Sequence, residues 1–178
     1  MGRYVALMRG INVGGKNKLP MKDLVAIFEA AGCAEVKTYI QSGNVVFSAP
    51  AKVAKGLAEA VPEAISAQFG LRVPVVLRSA ADYLAAVEAN PFLAEGVPAG
   101  RSTWPSSARS RRRPGWPSWT RRAHRRTRSA WWGCKSTCTA PTGWRTRSSR
   151  TRFDSTLGVV STARNWRTVL TLAGMLEA

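Results

Sequence analysis

The chain of 178 residues has one histidine, three cysteines and ten acidic residues against 27 Lys and Arg. His124 lies in a stretch devoid of aliphatic side chains, so no Ser-His or Cys-His pair can be assembled from globular sequence, and nucleophilic catalysis of that kind has no support. Asp23, Glu29 and Glu35 belong to a helix surface or its flank, which leaves no convincing pair of catalytic carboxylates. Cys33, Cys134 and Cys138 are odd in number and lack CxxC spacing, which argues against a disulfide framework and against a zinc site. Catalytic residues and cofactors stay unassigned, and no metal is expected. There is no apolar run of membrane-spanning length and no apolar leader, while Ala6 stands where myristoylation requires Ser or Thr. The expectation is a cytoplasmic protein with reduced thiols and no membrane partner.

A second scarcity is local. Residues 101–152 hold no Leu, Ile, Val, Met, Phe, Tyr or acid, but do hold fourteen Arg, Lys135 and six of the seven Trp. They carry +15 of the formal +17, so the rest of the chain is almost neutral. An Arg/Ser-rich nucleic-acid tail is one reading of such a composition. Six tryptophans argue against it, and the genetic code supplies another. Trp has the single codon TGG, so Trp131-Trp132 is TGGTGG, and a frame displaced to the last base of each codon reads it as Leu, Val or Met followed by Val. The same displacement lets "RSTWPSS" read as Ala-Leu-His-Val-Ala-Phe and "RSSRTR" as Lys-Leu-Thr-Asn-Ala. The window becomes ordinary alternating sequence. It is therefore read as the product of compensating frame changes near residues 100 and 152, and its charge is not taken as a nucleic-acid signal.

Outside the window the chain is patterned like a folded protein. "RYVALMRGI" is a short apolar run that reads as a buried strand, and "MKDLVAIFEAAG" follows Pro20 as an amphipathic helix stopped by Gly32. "EVKTYI" and "NVVFSA" are strands joined by the tight turn "QSGN". Residues 51–69 have Val53, Leu57, Val61 and Ile65 at spacings of four, with Pro62 expected to kink or break the helix. "RVPVVLRS" reads as the fourth strand and "AADYLAAVEANP" as a further helix. The order β-α-β-β-α-β is the ferredoxin-like α+β pattern, an antiparallel sheet with helices over one face.

Between the first strand and helix lies "RGINVGGKNK". Gly10, Gly15 and Lys16 have the spacing of a phosphate-binding loop, but Asn17 replaces the hydroxyl residue that such a loop places on magnesium. A P-loop also requires a parallel sheet. The glycines read more simply as a turn in which Gly14 and Gly15 take positive φ.

The stretches "RYVALMRGINVGGKNKLPM", "VKTYIQSGNVVFS" and "FDSTLGVVSTARNWRTVLTLAGML" resemble the DUF1697 family, a bacterial family of unknown function. The resemblance covers residues 3–95 and 153–176, and between them the family carries sequence like the displaced-frame reading. It implies a cytoplasmic α+β protein of two ferredoxin-like or related subdomains and implies no activity. The expected organisation is a ferredoxin-like subdomain over 1–95, an anomalous and disordered Arg/Ser/Trp-rich segment over 96–152, and the strand, turn and helix of a smaller, disrupted α+β subdomain over 153–178.

Polar residues at strand ends and turns are the candidate ligand-binding residues: Arg9, Asn12, Lys16 and Asn17 after the first strand, Gln41, Ser42 and Asn44 in the hairpin, and Arg164 and Asn165 near the end, beside Ser161 and Thr162. Arg and Lys beside glycine amides suit a small anion bearing phosphate or carboxylate. In the plain structural alternative Asn12 and Asn44 cap turns, and Arg164 with Trp166 anchors the last helix. The runner-up function is an RNA-binding or protein-interaction module, because RNA-recognition domains share this order and place aromatics on two central strands, where Tyr4 and Phe47 would stand.

The frame reading has a measurable consequence. Rewriting residues 101–152 in the displaced frame returns several Val and Leu, each stabilising by about 1.5–3 kcal/mol when buried. The rewritten chain is expected to unfold at a higher urea concentration than the present one, and equal midpoints would count against a frame change.

Overall fold

A computed structural model of the chain describes residues 1–89, 103–107, 130–132, 137–139 and 161–178. They fall into two compact units, one formed by Met1–Leu84 with Leu172–Ala178 and the other by Ala85–Thr171.

The first unit is built on four strands: β1 (Gly2–Met8), β2 (Ala34–Tyr39), β3 (Asn44–Ala49) and β4 (Val75–Ser79). Their order in the sheet is β2-β3-β1-β4, and every neighbouring pair is antiparallel. Helix α1 (Met21–Ala30) connects β1 to β2, and α2 (Ala51–Phe69) connects β3 to β4. This is the ferredoxin-like α+β arrangement.

Alternation along the strands assigns the faces. Ala6 and Met8 of β1, Val45 and Phe47 of β3 and Val75 of β4 pack with Leu24, Ile27 and Phe28 of α1 and with Leu57, Val61 and Ile65 of α2. Phe47 sits between two rings, 5.1 Å from Phe28 and 5.8 Å from Tyr4. Pro62 does not break α2, which runs through it for 19 residues. Its ring removes one helical hydrogen bond, but Leu57, Val61 and Ile65 are anchored in the core on both sides of it.

Helices over one face alone do not describe this sheet. Val5 and Leu7 of β1, Val46 of β3 and Val76 of β4 lie on the opposite face and are buried as well. The last turns of α4 (Trp166–Glu177) belong to the same unit, with Leu172 and Leu176 buried. Arg3, on that second face, donates from Nη1 to the carbonyls of Met175 (3.4 Å) and Leu176 (3.3 Å). Carbonyls in a helix's final turn have no partner within the helix, and a guanidinium satisfies them while complementing the negative end of the helix dipole. Beside Arg3 in the register is Ser48, whose Oγ donates to Glu35 Oε2 at 2.6 Å. That hydrogen bond first, and then the nearby Arg3 charge, hold the Glu35 carboxyl below its usual range. Helix α3 (Ala80–Glu88) opens on a reciprocal cap: Ser79 Oγ accepts from the Asp82 amide and donates to the Asp82 carboxylate.

In the second unit β5 (Thr103–Ser107) pairs antiparallel with β8 (Ser161–Asn165), and β6 (Ala130–Trp132) pairs with β7 (Thr137–Thr139). Within 101–152 the described residues are these short paired strands. The strands at 103–107, 130–132 and 137–139 depart from the expectation that the whole of residues 101–152 lacks regular packed structure, and for the rest of the window that expectation lies outside the described residues.

One glycine sets the spacing between β1 and the β2–β3 turn. Gly43 has φ +71°, and a Cβ there would stand 2.5 Å from Met8 Cβ and 2.6 Å from Ile11 Cδ1. Gly43→Ala combines left-handed strain, about 1–3 kcal/mol, with overpacking of about 1–3 kcal/mol. Gly14, at φ +59° with nothing within 4 Å of its built Cβ, carries only the strain. Urea denaturation is expected to show Gly43→Ala losing clearly more stability than Gly14→Ala; equal losses would remove the close approach as a constraint.

Candidate functional site

The candidate residues of the first unit collect where β1 and β2 end and β3 and β4 begin. The Met8 amide donates to the Gly43 carbonyl at 2.8 Å and the Arg9 amide to the Pro74 carbonyl at 3.0 Å, so the chain leaves β1 wedged between the β2–β3 turn and the entry to β4. The Gly-rich segment then folds as a small hairpin. Val13 bridges to Lys16, the Lys16 amide donates to the Val13 carbonyl at 3.2 Å, and Gly14 and Gly15 take φ +59° and +75°. Positive φ at both central residues is what a tight two-residue hairpin turn demands, and it explains the Gly-Gly pair.

This geometry also separates the loop from a phosphate-binding loop. In a P-loop successive amides converge on the anion. Here the Lys16 amide is bonded to Val13 and the Asn12 amide to the Asn17 carbonyl at 3.1 Å. The surrounding sheet is antiparallel. Those two amides are therefore not turned toward an anion.

Asn12 is a clamp. Its Oδ1 accepts from the Leu19 amide at 2.9 Å, and its Nδ2 donates to the carbonyls of Leu19 at 2.8 Å and Gln41 at 2.9 Å. One side-chain amide thus closes its own loop and fastens it to the β2–β3 turn. Asn17 Nδ2 donates to the Gly10 carbonyl at 2.9 Å, closing the base of the hairpin. Asn44 is fully buried, and its Nδ2 donates to the Tyr39 carbonyl and to Ser42 Oγ, holding the turn between β2 and β3. The three asparagines use these polar groups on the scaffold.

Arg9 is half-buried, Ser42 likewise, and Lys16, Lys18 and Gln41 are exposed. Arg72, which the sequence did not single out, lies exposed two residues before the Pro74 carbonyl that receives the Arg9 amide. A backbone contact between residues 65 positions apart, Arg9 and Pro74, links it to the site, and nothing in the local pattern signals it.

Arg164 and Asn165 belong to the second unit. Arg164 is buried, with Nη1 donating to Thr162 Oγ1 at 2.7 Å. Asn165 Oδ1 accepts from the Arg167 amide at 2.9 Å, which is the N-cap of α4.

Two backbone features at the loop end stand out. Ile40 has φ +49°, and Val13 is 64 % exposed. A β-branched residue in the left-handed region is strained by about 1–3 kcal/mol, where Asn or Gly would fit with little strain. Burial does not offset this at Ile40, which is 51 % exposed. Cys33, by contrast, is buried beneath α1, and desolvation pushes its thiol up to about 11, so it is a poor nucleophile at neutral pH. Among the described residues no helix is long and apolar enough to cross a membrane, and no group of His, Cys, Asp and Glu could hold a metal ion.

Comparison with known proteins agrees with the fold. No curated protein matches the chain. The conserved bacterial protein SP0830 from Streptococcus pneumoniae has a solved structure that is 25 % identical in sequence, with a TM-score of 0.67 and coverage of 98 % of each chain. The model of a family described as "Protein of unknown function (DUF1697)" matches residues 1–104, ending just inside the Arg-rich window. By that match, which spans more than half of its length, the chain belongs to the DUF1697 family.

Proposed function

We propose that the chain binds an anionic group, phosphate or carboxylate, at the end of the first unit's sheet where β1 terminates. Charge placement supports the reading. The loops at that end, residues 9–20, 40–43 and 70–74, contain Arg9, Lys16, Lys18 and Arg72. Four of the ten Lys and Arg in residues 1–89 are therefore here, and none of the seven Asp and Glu. In the first turn of α1, Lys22 and Asp23 offset one another. Lys16 and Lys18 act as point charges, Arg9 and Arg72 as planar forks, and Gln41 and Ser42 as neutral hydrogen-bonding partners. Asn12, Asn17 and Asn44 hold the loops that carry them.

Of the two ring positions, Tyr4 is half-buried and Phe47 speaks against the RNA-binding alternative. Phe47 is 1 % exposed and sits in the helix-facing core, so it presents no stacking surface to a base.

Because the fourteen Arg and Lys135 of residues 101–152 attract anions without regard to the loops, the test must read the loops locally. Backbone amide resonances of residues 9–18 and 40–43 are followed by NMR as pyrophosphate is added. Saturable shifts there are expected, and Lys16→Ala should weaken the affinity read from them by about tenfold or more, since hydrogen bonds to charged groups contribute about 1.5–3 kcal/mol. Lys16→Ala should leave the urea midpoint nearly unchanged. Asn12→Ala, which leaves the Leu19 amide and two carbonyls without partners, should lower stability by about 1–3 kcal/mol. Shifts confined to residues outside these loops would refute the proposal.

A further inference from the structure

The cationic end of the first unit also holds two aliphatic side chains in water. Val13 and Ile40 are 64 % and 51 % exposed. They occupy the two loops that Asn12 Nδ2 fastens to the Gln41 carbonyl at 2.9 Å, Val13 directly following Asn12 and Ile40 directly preceding Gln41. The two residues therefore flank a single hydrogen bond. Ile40 is held there in a backbone conformation that selects against β-branched residues. A turn under selection only for folding would carry Asn or Gly at this position. Strain retained at an exposed residue points to a contact made with something else.

The chemistry of that contact follows from the neighbours. Lys16 bridges directly to Val13 across the small hairpin, and Lys18, Arg9 and Arg72 lie in the same group of loops. No aromatic residue stands in residues 9–20, 40–43 or 70–74, and the flanking Tyr39 and Phe69 are half-buried, so a nucleobase would find little ring surface to stack on. A small free anion would engage the cations but leave both aliphatic groups in water. Exposed aliphatic groups carried on the same loops as ammonium and guanidinium groups match the boundary of an anionic bilayer, where acyl chains meet charged headgroups. We propose that this end of the first unit is a docking surface for an anionic lipid bilayer, with Val13 and Ile40 entering the acyl boundary and Lys16, Lys18, Arg9 and Arg72 meeting the headgroups.

This inference rests on the anion-binding reading and names its partner. It does not conflict with the lack of a spanning helix, because a peripheral surface needs none. The charge distribution would also orient the unit: outside the three loops, residues 1–89 hold six Lys and Arg against seven Asp and Glu, so the remainder is weakly repelled.

Hydrogen exchange read by mass spectrometry gives the local test in the full chain. Vesicles of phosphatidylcholine and phosphatidylglycerol in a ratio of about 2:1 are compared with phosphatidylcholine alone. Slowed exchange is expected across residues 9–18 and 39–43 with the anionic vesicles only. Ile40→Asn should abolish that protection while leaving the thermal midpoint unchanged or raised, because Asn accepts the left-handed conformation. Val13→Ser, at a position that buries little, should weaken it about tenfold, the scale of one exposed aliphatic group withdrawn from the boundary. Removing one cation with Lys18→Ala should weaken it about fivefold. Vesicle protection confined to residues 101–152, or loop protection unchanged in both Ile40→Asn and Val13→Ser, would overturn the proposal. Pyrophosphate shifts at the loops without vesicle protection would overturn the bilayer alone; loss of both would overturn the anion reading with it.

Discussion

The close approach of Gly43 to Met8 and Ile11 governs this molecule. With no side chain at Gly43, the β2–β3 turn presses onto the end of β1, and the Met8 amide reaches the Gly43 carbonyl at 2.8 Å. That contact brings Gln41 within reach of Asn12, and the Asn12 clamp in turn fixes the Gly-rich hairpin relative to the turn. The juxtaposition of the Gly-rich hairpin and the β2–β3 turn, which carry Val13, Lys16 and Ile40, thus depends on one missing methyl group. Any candidate activity of the loops depends on it.

Much of this fold was legible in the sequence because its period-2 and near-period-4 patterns were strong. "NVVFSA" became β3 over Asn44–Ala49, and residues 51–69 became α2 through Pro62. The second buried face was also written in the chain, in the uninterrupted run Val5-Ala6-Leu7-Met8, since a strand with one wet face alternates. Arg3 could not have been found that way. Its partners at Met175 and Leu176 lie more than 170 positions away, and no spacing rule connects them.

The site was legible in a different sense. Polar residues in turns were singled out as candidates, yet Asn12, Asn17, Asn44 and Asn165 hydrogen-bond the backbone and build the loops and the helix cap. Asn suits both a binding group and a turn brace because its amide offers a donor and an acceptor in peptide-like geometry. Sequence gives no means to tell these uses apart. Ile40 was hidden for the opposite reason: its positive φ contradicts its residue type, so propensity pointed away from the position that most needs explaining.

The return of α4 to the first strand also bears on how the chain is made. Residues 172–178 complete a face whose other members, Val5, Leu7, Val46 and Val76, leave the ribosome far earlier. During synthesis the β1–β4 sheet can pair and cover its α1/α2 side, but its second side stays uncovered by α4 until translation has passed residue 172. For that interval the nascent chain presents a flat aliphatic surface, the kind of surface that chaperones engage and that drives aggregation when they do not. Arg3 then acts as the latch that secures the later-made helix on the earlier-made strand.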